Sequence, residues 1–390
     1  MIQKDKAVKI RTGEELNQDN LEKYLIEKIP HFGKIIGITQ FPGGFSNLTY
    51  LVEVQVDDEE WRMDDGNKNP KSKIQNPKSA SFVLRRPPFG NYVKSGHDMS
   101  REFSVLSLLK KAGYTSIPVP IIFEETGDVI GAPFYIMERV NGIILRAKDA
   151  QNPILTSEIM RDLSEKMIDN LVHLHSLDIE KTGLITLGKP DNYVQRQVSG
   201  WIKRYEQAQT DDIADMKTIA NWMMQFTPRL QAPTFLHNDY KFDNVVFSFE
   251  PLATSDEQPD SSKLKTQSPK LIGVLDWEMS TVGDPLMDLG AALAYWCEKS
   301  DAPFTKQFNL TWIDGCLTRQ EVIERYGQKT GRDLTDINFY YVFGLFKNAA
   351  IMQQIYARWK SGATTDPRFA GLINGVHELS KMGVKAMVDG

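Results

Sequence analysis

The sequence predicts an α+β fold with two lobes, a small antiparallel-sheet N-lobe and a larger, mostly helical C-lobe. Apolar side chains alternate at Tyr50, Val52, Val54 and Val56 after a Gly43-Gly44 turn, which is the pattern of paired strands. From residue 156 onward, apolar side chains recur mostly at helical spacing, interrupted by strand-like pieces around 235–276. The 390 residues are enough for two lobes that each bury a core.

The order of these patterns predicts the domain boundaries. We assign residues 1–140 to the N-lobe and 141–390 to the C-lobe, with a short hinge at the end of the strand-like stretch 134–140. Residues 57–80 are rich in charge, Asn and Pro, so we expect a mobile loop insertion there. Residues 251–270 form a second low-complexity loop. A cleft at the hinge is the expected ligand site.

Composition excludes several classes of protein. The net charge is −5 and no long basic tract is present, which argues against a nucleic-acid partner. Two cysteines form no disulfide framework and have no metal-ligand spacing. The N-terminus lacks an apolar signal segment, and no run of ~18 apolar residues predicts a membrane span. We therefore expect a cytoplasmic protein without a membrane partner.

The stretch HNDYKFDN at 237–244 carries the chemistry of a catalytic loop. Asp239 and Asn244 are five residues apart, the spacing of a kinase catalytic loop. In that chemistry the Asp orients or accepts the proton of an attacking hydroxyl, and the Asn holds Mg²⁺. Lys241 lies between them and is placed to neutralise the transferring phosphoryl group.

A second acidic loop, 276–290, completes the predicted metal site. Mg²⁺ prefers hard oxygen ligands and usually takes only one or two from protein carboxylates. Asp276 follows the apolar run 271–275 and so lies at a strand end. We predict that Asn244 and Asp276 hold the metal.

These segments, in this order, resemble the aminoglycoside phosphotransferase family, which shares the protein-kinase-like fold. The resemblance extends from about residue 35 to 380 and implies that Asp239 is the catalytic residue. His237 matches the histidine that opens the loop, and we interpret it as structural. Asp288 lies in the family's GDPLMDLG segment, and we interpret it as a carboxylate that braces the loop rather than a metal ligand.

The resemblance also implies an ATP site in the N-lobe. FPGGFSNLTY matches the glycine turn over the phosphates, and FVLRR places Arg85 at the position of the lysine in V-A-I-K, with Glu102 as its ion-pair partner. The hinge would meet the adenine. The residues assigned to the nucleotide are Gly43, Gly44, Ser46, Asn47, Arg85, Glu102, Met137, Glu138 and Val140.

The sequence departs from the family pattern in three places. Arg85 replaces a lysine, so a planar guanidinium group stands where the family has a compact ammonium charge. The triplet DWE at 276–278 replaces D-F-G, so control of activity by an activation loop, as in protein kinases, is not expected. Asn238 stands where Gly or Arg is usual.

Two further stretches indicate the phosphate acceptor. DNYVQRQVSGW at 191–201 and IYARWKSG at 355–362 resemble the branch related to acyl-CoA dehydrogenases of families ten and eleven, which implies a hydroxyacyl-CoA substrate. Residues 193–205 and 347–362 contain no acid and six cations, which favours an anionic acceptor over a polycationic aminoglycoside. The six are Arg196, Lys203, Arg204, Lys347, Arg358 and Lys360.

The predicted function is thus an ATP- and Mg²⁺-dependent phosphotransferase acting on a hydroxyl of a small molecule. Three alternatives remain at this point: a kinase of aminoglycosides or other small molecules, a non-catalytic nucleotide-binding regulator, and a metal-dependent hydrolase that uses the same acids. The hydrolase leaves the glycine turn and Arg85 without a purpose. The sequence does not determine the oligomeric state.

Overall fold

The structure is a computed structural model that describes residues 6–42, 47–55, 79–89, 98–249 and 268–389. The chain divides into two compact units. One comprises residues 3–110 and 117–141, and the other comprises 111–116 and the chain from 142 onward.

The first unit is built on a five-stranded antiparallel sheet with the order β1-β2-β3-β5-β4. Its elements are α1 (Gln18–Lys28), β1 (Ile35–Gln40), β2 (Leu48–Gln55), β3 (Ser79–Arg86), α2 (Met99–Lys111), β4 (Pro120–Glu124) and β5 (Phe134–Glu138).

The two faces of this sheet have different partners. Leu21 and Leu25 of α1 share one apolar cluster with Phe82 and Leu84 of β3. Because residues two apart in a strand share a face, Arg85 points away from that cluster. On the opposite face Arg85 meets α2, which carries Glu102, as the predicted register requires.

Strands begin inside both stretches that the sequence assigned to loops. Ser79 and Ala80 pair with Gln55 and Val54, so the end of the stretch 57–80 belongs to the sheet. The remainder of that insertion lies outside the described residues. Similarly, Lys270 at the end of the stretch 251–270 pairs with Ser248, and only Ser268 onward is described.

The second unit is mostly helical, with short strands that carry the loops of the site. Its elements are β6 (Ile143–Ile144), α3 (Ser157–His175), α4 (Ile179–Thr182), α5 (Tyr193–Ala208), α6 (Ala214–Gln225), β7 (Thr234–Leu236), β8 (Val245–Ser248), β9 (Lys270–Val274), β10 (Thr281–Gly283), α7 (Pro285–Tyr295), α8 (Arg319–Thr330), α9 (Ile337–Lys360) and α10 (Leu372–Asp389). Within the described ranges, no helix is both long and apolar enough to cross a membrane.

Close packing of α7 on α9 forms the base beneath these loops. A Cβ on Gly290 of α7 would lie 2.3 Å from the carbonyl oxygen of Tyr340 on α9. Reciprocally, a Cβ on Gly344 of α9 would lie 2.5 Å from the carbonyl oxygen of Gly290. The backbones can approach this closely only because both positions lack a side chain. Asp288 and Lys347, one on each helix, flank this contact.

Strand pairing brings the two predicted loops together. β7 pairs with β10, and β8 pairs with both β6 and β9. Val245 at the start of β8 lies opposite Val274 at the end of β9. The loop that enters β8 and the loop that leaves β9 therefore begin at adjacent strand ends.

Candidate active site

A backbone hydrogen bond joins the predicted catalytic loop, residues 237–244, to the start of the second acidic loop, residues 276–290, which we call the metal loop. The Leu275 N–H donates to the Asn244 carbonyl oxygen at 2.8 Å, and Asp276 is the next residue. Asp276 has φ +65°, in the left-handed region that Asp enters more readily than most side chains. The structure thus brings Asn244 and Asp276 together, as the sequence predicts.

The orientation of the Asn244 side chain is set by Asp239. Its Nδ2 donates to Asp239 Oδ2 at 2.8 Å and to the Asp239 carbonyl oxygen at 2.9 Å. Both amide hydrogens are therefore used, and Oδ1 is the side-chain atom that remains for a ligand. This geometry lets Asn244 position the carboxylate of Asp239 and offer an oxygen to a cation at the same time.

Asp239 and Lys241 form an ion pair in a largely buried setting. Lys241 Nζ lies 2.9 Å from Asp239 Oδ2 and 4.6 Å from the centre of the Tyr295 ring. Burial by itself raises the pKa of Asp239, but the positive charges of Lys241 and Lys347 outweigh it and hold that pKa below the ordinary value. Burial by itself lowers the pKa of Lys241, and Tyr295 and Asp239 reverse this and raise it. Both groups are charged at neutral pH.

His237 connects the two loops and is fully buried. Its Nδ1 accepts from the Asp239 N–H at 3.2 Å, so the ring proton lies on Nε2, which donates to the Leu275 carbonyl oxygen at 2.9 Å. Both ring nitrogens are occupied by the backbone. His237 is therefore placed to hold the loops in position, in agreement with its predicted structural part.

The fully buried carboxylate of Asp288 supports the start of the catalytic loop. It accepts from the backbone N–H groups of His237 at 2.6 Å and Asn238 at 2.7 Å. His175 Nε2 donates to it at 3.2 Å, while His175 Nδ1 lies 2.8 Å from the Tyr326 hydroxyl. These contacts agree with the bracing part predicted for Asp288.

Asn238, one of the departures from the family pattern, fits a strained point in the backbone. Its φ is +63°, a conformation that Asn adopts more readily than most residues. Its Nδ2 donates to the Met279 carbonyl oxygen at 3.0 Å, which adds a third connection between the catalytic and metal loops.

Lys347 is a residue of this site whose position sequence reasoning missed. Its side chain is buried, and Nζ donates to the Asn238 carbonyl oxygen at 2.5 Å. Burial lowers the pKa of Lys347, and the nearby charge of Asp239 opposes that shift. The sequence counted it among six cations facing the acceptor. The structure instead places its ammonium group against the backbone of the catalytic loop.

Two other cations of that set also have local partners. Lys360 Nζ lies 3.1 Å from Asp211 Oδ2, and Arg196 donates to the carbonyl oxygens of Asp191 and Lys189. The acid that neutralises Lys360 lies just outside the two segments that were counted. The six cations are therefore not six available positive charges, and the count is corrected accordingly.

In the first unit, the Glu102 carboxylate contacts three other side chains. Arg85 Nε lies 3.3 Å from Glu102 Oε2, which is the ion pair that the sequence predicts. The Tyr135 hydroxyl donates to Oε2 at 2.8 Å, and Asn47 Nδ2 donates to Oε1 at 2.7 Å. Asn47 is 1% exposed, so its side-chain amide supports Glu102 instead of lining the phosphate turn.

The other predicted nucleotide residues are placed as follows. Met137 and Glu138 end β5, and Val140 follows it. Gly43, Gly44 and Ser46 lie outside the described residues.

The oxygens near Asn244 and Asp276 suit Mg²⁺. An amide oxygen and a carboxylate are hard ligands, and Mg²⁺ is commonly held by one or two carboxylates together with water and substrate phosphates. Within the described part of the chain, no cluster of three or more His, Cys, Asp and Glu side chains forms a closed metal cage. An amide oxygen and a carboxylate are thus a donor set that fits Mg²⁺.

Comparison with known sequences identifies the family. The model of the phosphotransferase enzyme family (APH) matches residues 37–254 and 264–322. Acyl-CoA dehydrogenase family member 10 from Mus musculus is 32% identical over 361 residues, which cover 90% of this chain and 29% of that protein. Acyl-CoA dehydrogenase family member 11 from Homo sapiens is 30% identical over 373 residues, covering 94% and 42%. The chain thus spans less than half the length of these relatives.

Solved structures share the fold. A protein from Ralstonia eutropha JMP134, provisionally assigned as an aminoglycoside phosphotransferase, is 26% identical with a TM-score of 0.73, covering 96% of this chain and 99% of that one. Choline kinase from Cryptosporidium parvum Iowa II is 13% identical with a TM-score of 0.58, covering 96% and 97%. A streptomycin–ATP complex of APH(2")-IIa is 15% identical with a TM-score of 0.52, covering 94% and 97%. The chain therefore belongs to the phosphotransferase enzyme family and has the protein-kinase-like α+β fold.

Proposed function

We propose that the protein transfers the γ-phosphoryl group of ATP to a hydroxyl group of a small molecule, and that Asp239 receives the proton of that hydroxyl. One observation carries the proposal. An ionised carboxylate, Asp239, is held by Lys241 and Asn244, and a backbone hydrogen bond joins Asn244 to Leu275, the residue before Asp276.

The low pKa of Asp239 indicates how it acts. A carboxylate of lowered pKa is a weak base, so in the ground state it orients the acceptor hydroxyl by accepting a hydrogen bond. The proton moves to it late, as the bond to phosphorus forms. This suits phosphoryl transfer, whose transition state requires little base and depends on positioning and charge stabilisation. The Lys241 ammonium group supplies a fixed positive charge for the transferring phosphoryl group.

Residues of the first unit are proposed to bind ATP. Arg85 contacts the α- and β-phosphates, and the assignment of Gly43, Gly44 and Ser46 to the phosphates rests on the sequence alone, because these three lie outside the described residues. The backbone from Met137 to Val140 meets the adenine. The ion pair between Arg85 and Glu102 supports this assignment, as does the ATP bound by a neighbour of the same fold. Asn47 is reassigned from the phosphates to the support of Glu102.

Asn244 and Asp276 are proposed to hold Mg²⁺. The ion would neutralise charge on the phosphate oxygens. The protein's part is to present Asn244 Oδ1 in a fixed orientation, because both hydrogens of the same amide are bonded to Asp239.

Asp276→Ala is expected to lose more of the Mg²⁺-dependent gain in ATP affinity than Asn244→Ala. A carboxylate contributes a full charge as well as an oxygen, whereas an amide contributes only a dipole. Titrations of ATP with and without Mg²⁺ measure the gain for each variant. Without Mg²⁺ the two variants should match the wild type. Equal losses with Mg²⁺ would contradict the ranking.

The acceptor is proposed to be a hydroxyacyl-CoA. Support comes from the relatives at about a third identity, which are named as acyl-CoA dehydrogenase family proteins. The charge argument for an anionic acceptor is reduced, since Lys347, Lys360 and Arg196 are engaged within the protein.

A competition assay tests the proposed function. Hydroxyacyl-CoAs and kanamycin are supplied together with ATP and Mg²⁺, and phosphorylated products are identified by mass spectrometry. We expect the phosphate on the acyl hydroxyl. Phosphorylation of kanamycin alone would replace the acceptor and leave the phosphotransferase assignment intact. Phosphate released without any phosphorylated acceptor would favour a hydrolase.

A further inference from the structure

A pocket in the second unit begins at the catalytic loop. Its empty space is about 660 Å³, counted with its open mouth, and Lys241 and Tyr295 border it. The remaining wall is largely apolar and comes from α9, α10 and the segment after α7. Its main apolar residues are Cys297, Phe304, Phe308, Ile351, Met352 and Leu379. Lys241 also contacts Asp239, so the wall of the pocket lies one side chain away from the proposed reacting group.

One polar residue in this wall has no partner in the described part of the chain. Asn348 is 6% exposed, and its Oδ1 is buried without a hydrogen bond. Buried amides are normally satisfied, because leaving one unpaired costs its full desolvation. Gln353, on the same helix, also has a buried side-chain oxygen without a hydrogen bond, but its Nε2 donates to the Ala208 carbonyl oxygen and to Thr210 Oγ1, both at 2.9 Å, whereas the Asn348 amide makes no hydrogen bond within the described residues.

We infer that this pocket holds the body of the phosphoryl acceptor and that the Asn348 amide hydrogen-bonds to a carbonyl or hydroxyl group of that body. The inference rests on the proposed function for the reacting end at Asp239. It adds a ligand class, an apolar chain that carries one further polar group, and a specificity-determining residue.

The charge of the wall agrees with this ligand class. Asp243 is the acid among the residues that line the pocket, and it lies near Lys241, which offsets its charge. A polycationic ligand would need several acids here.

Binding measurements separate this inference from turnover. Calorimetry with a non-hydrolysable ATP analogue present would compare hydroxyacyl thioesters of increasing chain length. We expect affinity to rise about threefold to fourfold for each added methylene until the pocket is filled. Asn348→Leu should weaken binding about threefold to tenfold, while the melting temperature stays equal or rises, because an unpaired buried amide has been removed.

Gln353→Leu is the matched control on the same helix. It should lower the melting temperature, because two hydrogen bonds are lost, and leave acceptor affinity unchanged. Ile351→Trp provides a second route if Asn348→Leu does not fold. The larger side chain narrows the pocket and should weaken the binding of long-chain thioesters more than that of short-chain ones.

The outcomes distinguish the two proposals. An affinity that does not change with chain length, or an Asn348→Leu protein that binds the thioesters as the wild type does, would overturn the role inferred for the pocket even if phosphoryl transfer is normal. Binding that follows chain length and depends on Asn348, with no phosphate transferred to any acceptor, would support the pocket and overturn the proposed function.

Discussion

Asp239→Asn is expected to lower turnover at least ~10²-fold while the affinity for ATP stays near the wild-type value. Asparagine keeps the shape of the side chain and can still contact Asn244. It cannot receive the proton of the acceptor hydroxyl, and it leaves Lys241 without the carboxylate at 2.9 Å. Steady-state kinetics give the turnover, and equilibrium titration gives the ATP affinity.

Asp211→Asn is a suitable control for this experiment. It makes the same chemical change at a carboxylate whose partner is Lys360, away from the catalytic loop, so turnover should remain near the wild-type rate. Both variants should melt as folded proteins. A folded Asp239→Asn enzyme with near-normal turnover would remove Asp239 from its proposed part.

The pH profile gives a second test of Asp239. Its folded pKa is lowered, and the ionised form is the active one, so activity should be lost only as pH falls through that lowered value. The acid limb of the activity profile should therefore lie below the ordinary aspartate pKa of about 3.9. The activity is compared only at pH values at which the protein stays folded. An acid limb at near-neutral pH would assign the titration to another group.

The residues of the candidate site could be located from the sequence because they occupy short segments. Asp239, Lys241 and Asn244 lie within one loop, and their spacing alone brings them together. Asp276 could be predicted because a strand of apolar residues leads directly to it. In each case local chain geometry places the side chain, and sequence contains that information.

Two supporting side chains, Lys347 and Asn47, could not be placed from the sequence because their contacts are long-range. Lys347 lies 109 residues from Asn238, and Asn47 lies 55 residues from Glu102. α9 is buried around much of its circumference, so its apolar pattern does not show which way a lysine on it points. Only the packing of α9 on α7 places Lys347 beneath the loop.

The acceptor charge count failed for a related reason. It summed cations within two segments, whereas Asp211, which neutralises Lys360, lies beyond the end of the first segment. Charge complementarity depends on neighbours in space. A count along the chain includes cations that are already paired and omits the acids that pair with them.

Asp288→Ala is expected to lower the free energy of unfolding by about 3–5 kcal/mol, the range found when one partner of a buried charged contact is removed. The change leaves the N–H groups of His237 and Asn238 without an acceptor, and it also removes the partner of His175. Water does not readily reach these three hydrogen-bond donors, so it cannot replace the lost carboxylate. Urea unfolding at neutral pH measures the loss.

Comparison with Asp366→Ala and with pH separates this effect from a general loss of charge. Asp366 pairs with Arg368 in a solvent-screened position, so its removal should lower the free energy of unfolding much less than Asp288→Ala does. Burial by itself raises the pKa of Asp288, but His175 and His237 reverse this and lower it, so the ionised carboxylate stabilises the fold above the ordinary aspartate pKa. That contribution is lost as pH falls through the lowered value, and the Asp288→Ala variant should lack this part of the acid sensitivity. A variant as stable as the wild type would show that the loop holds its position without the carboxylate. Its turnover would then show whether Asp239 is positioned independently of Asp288.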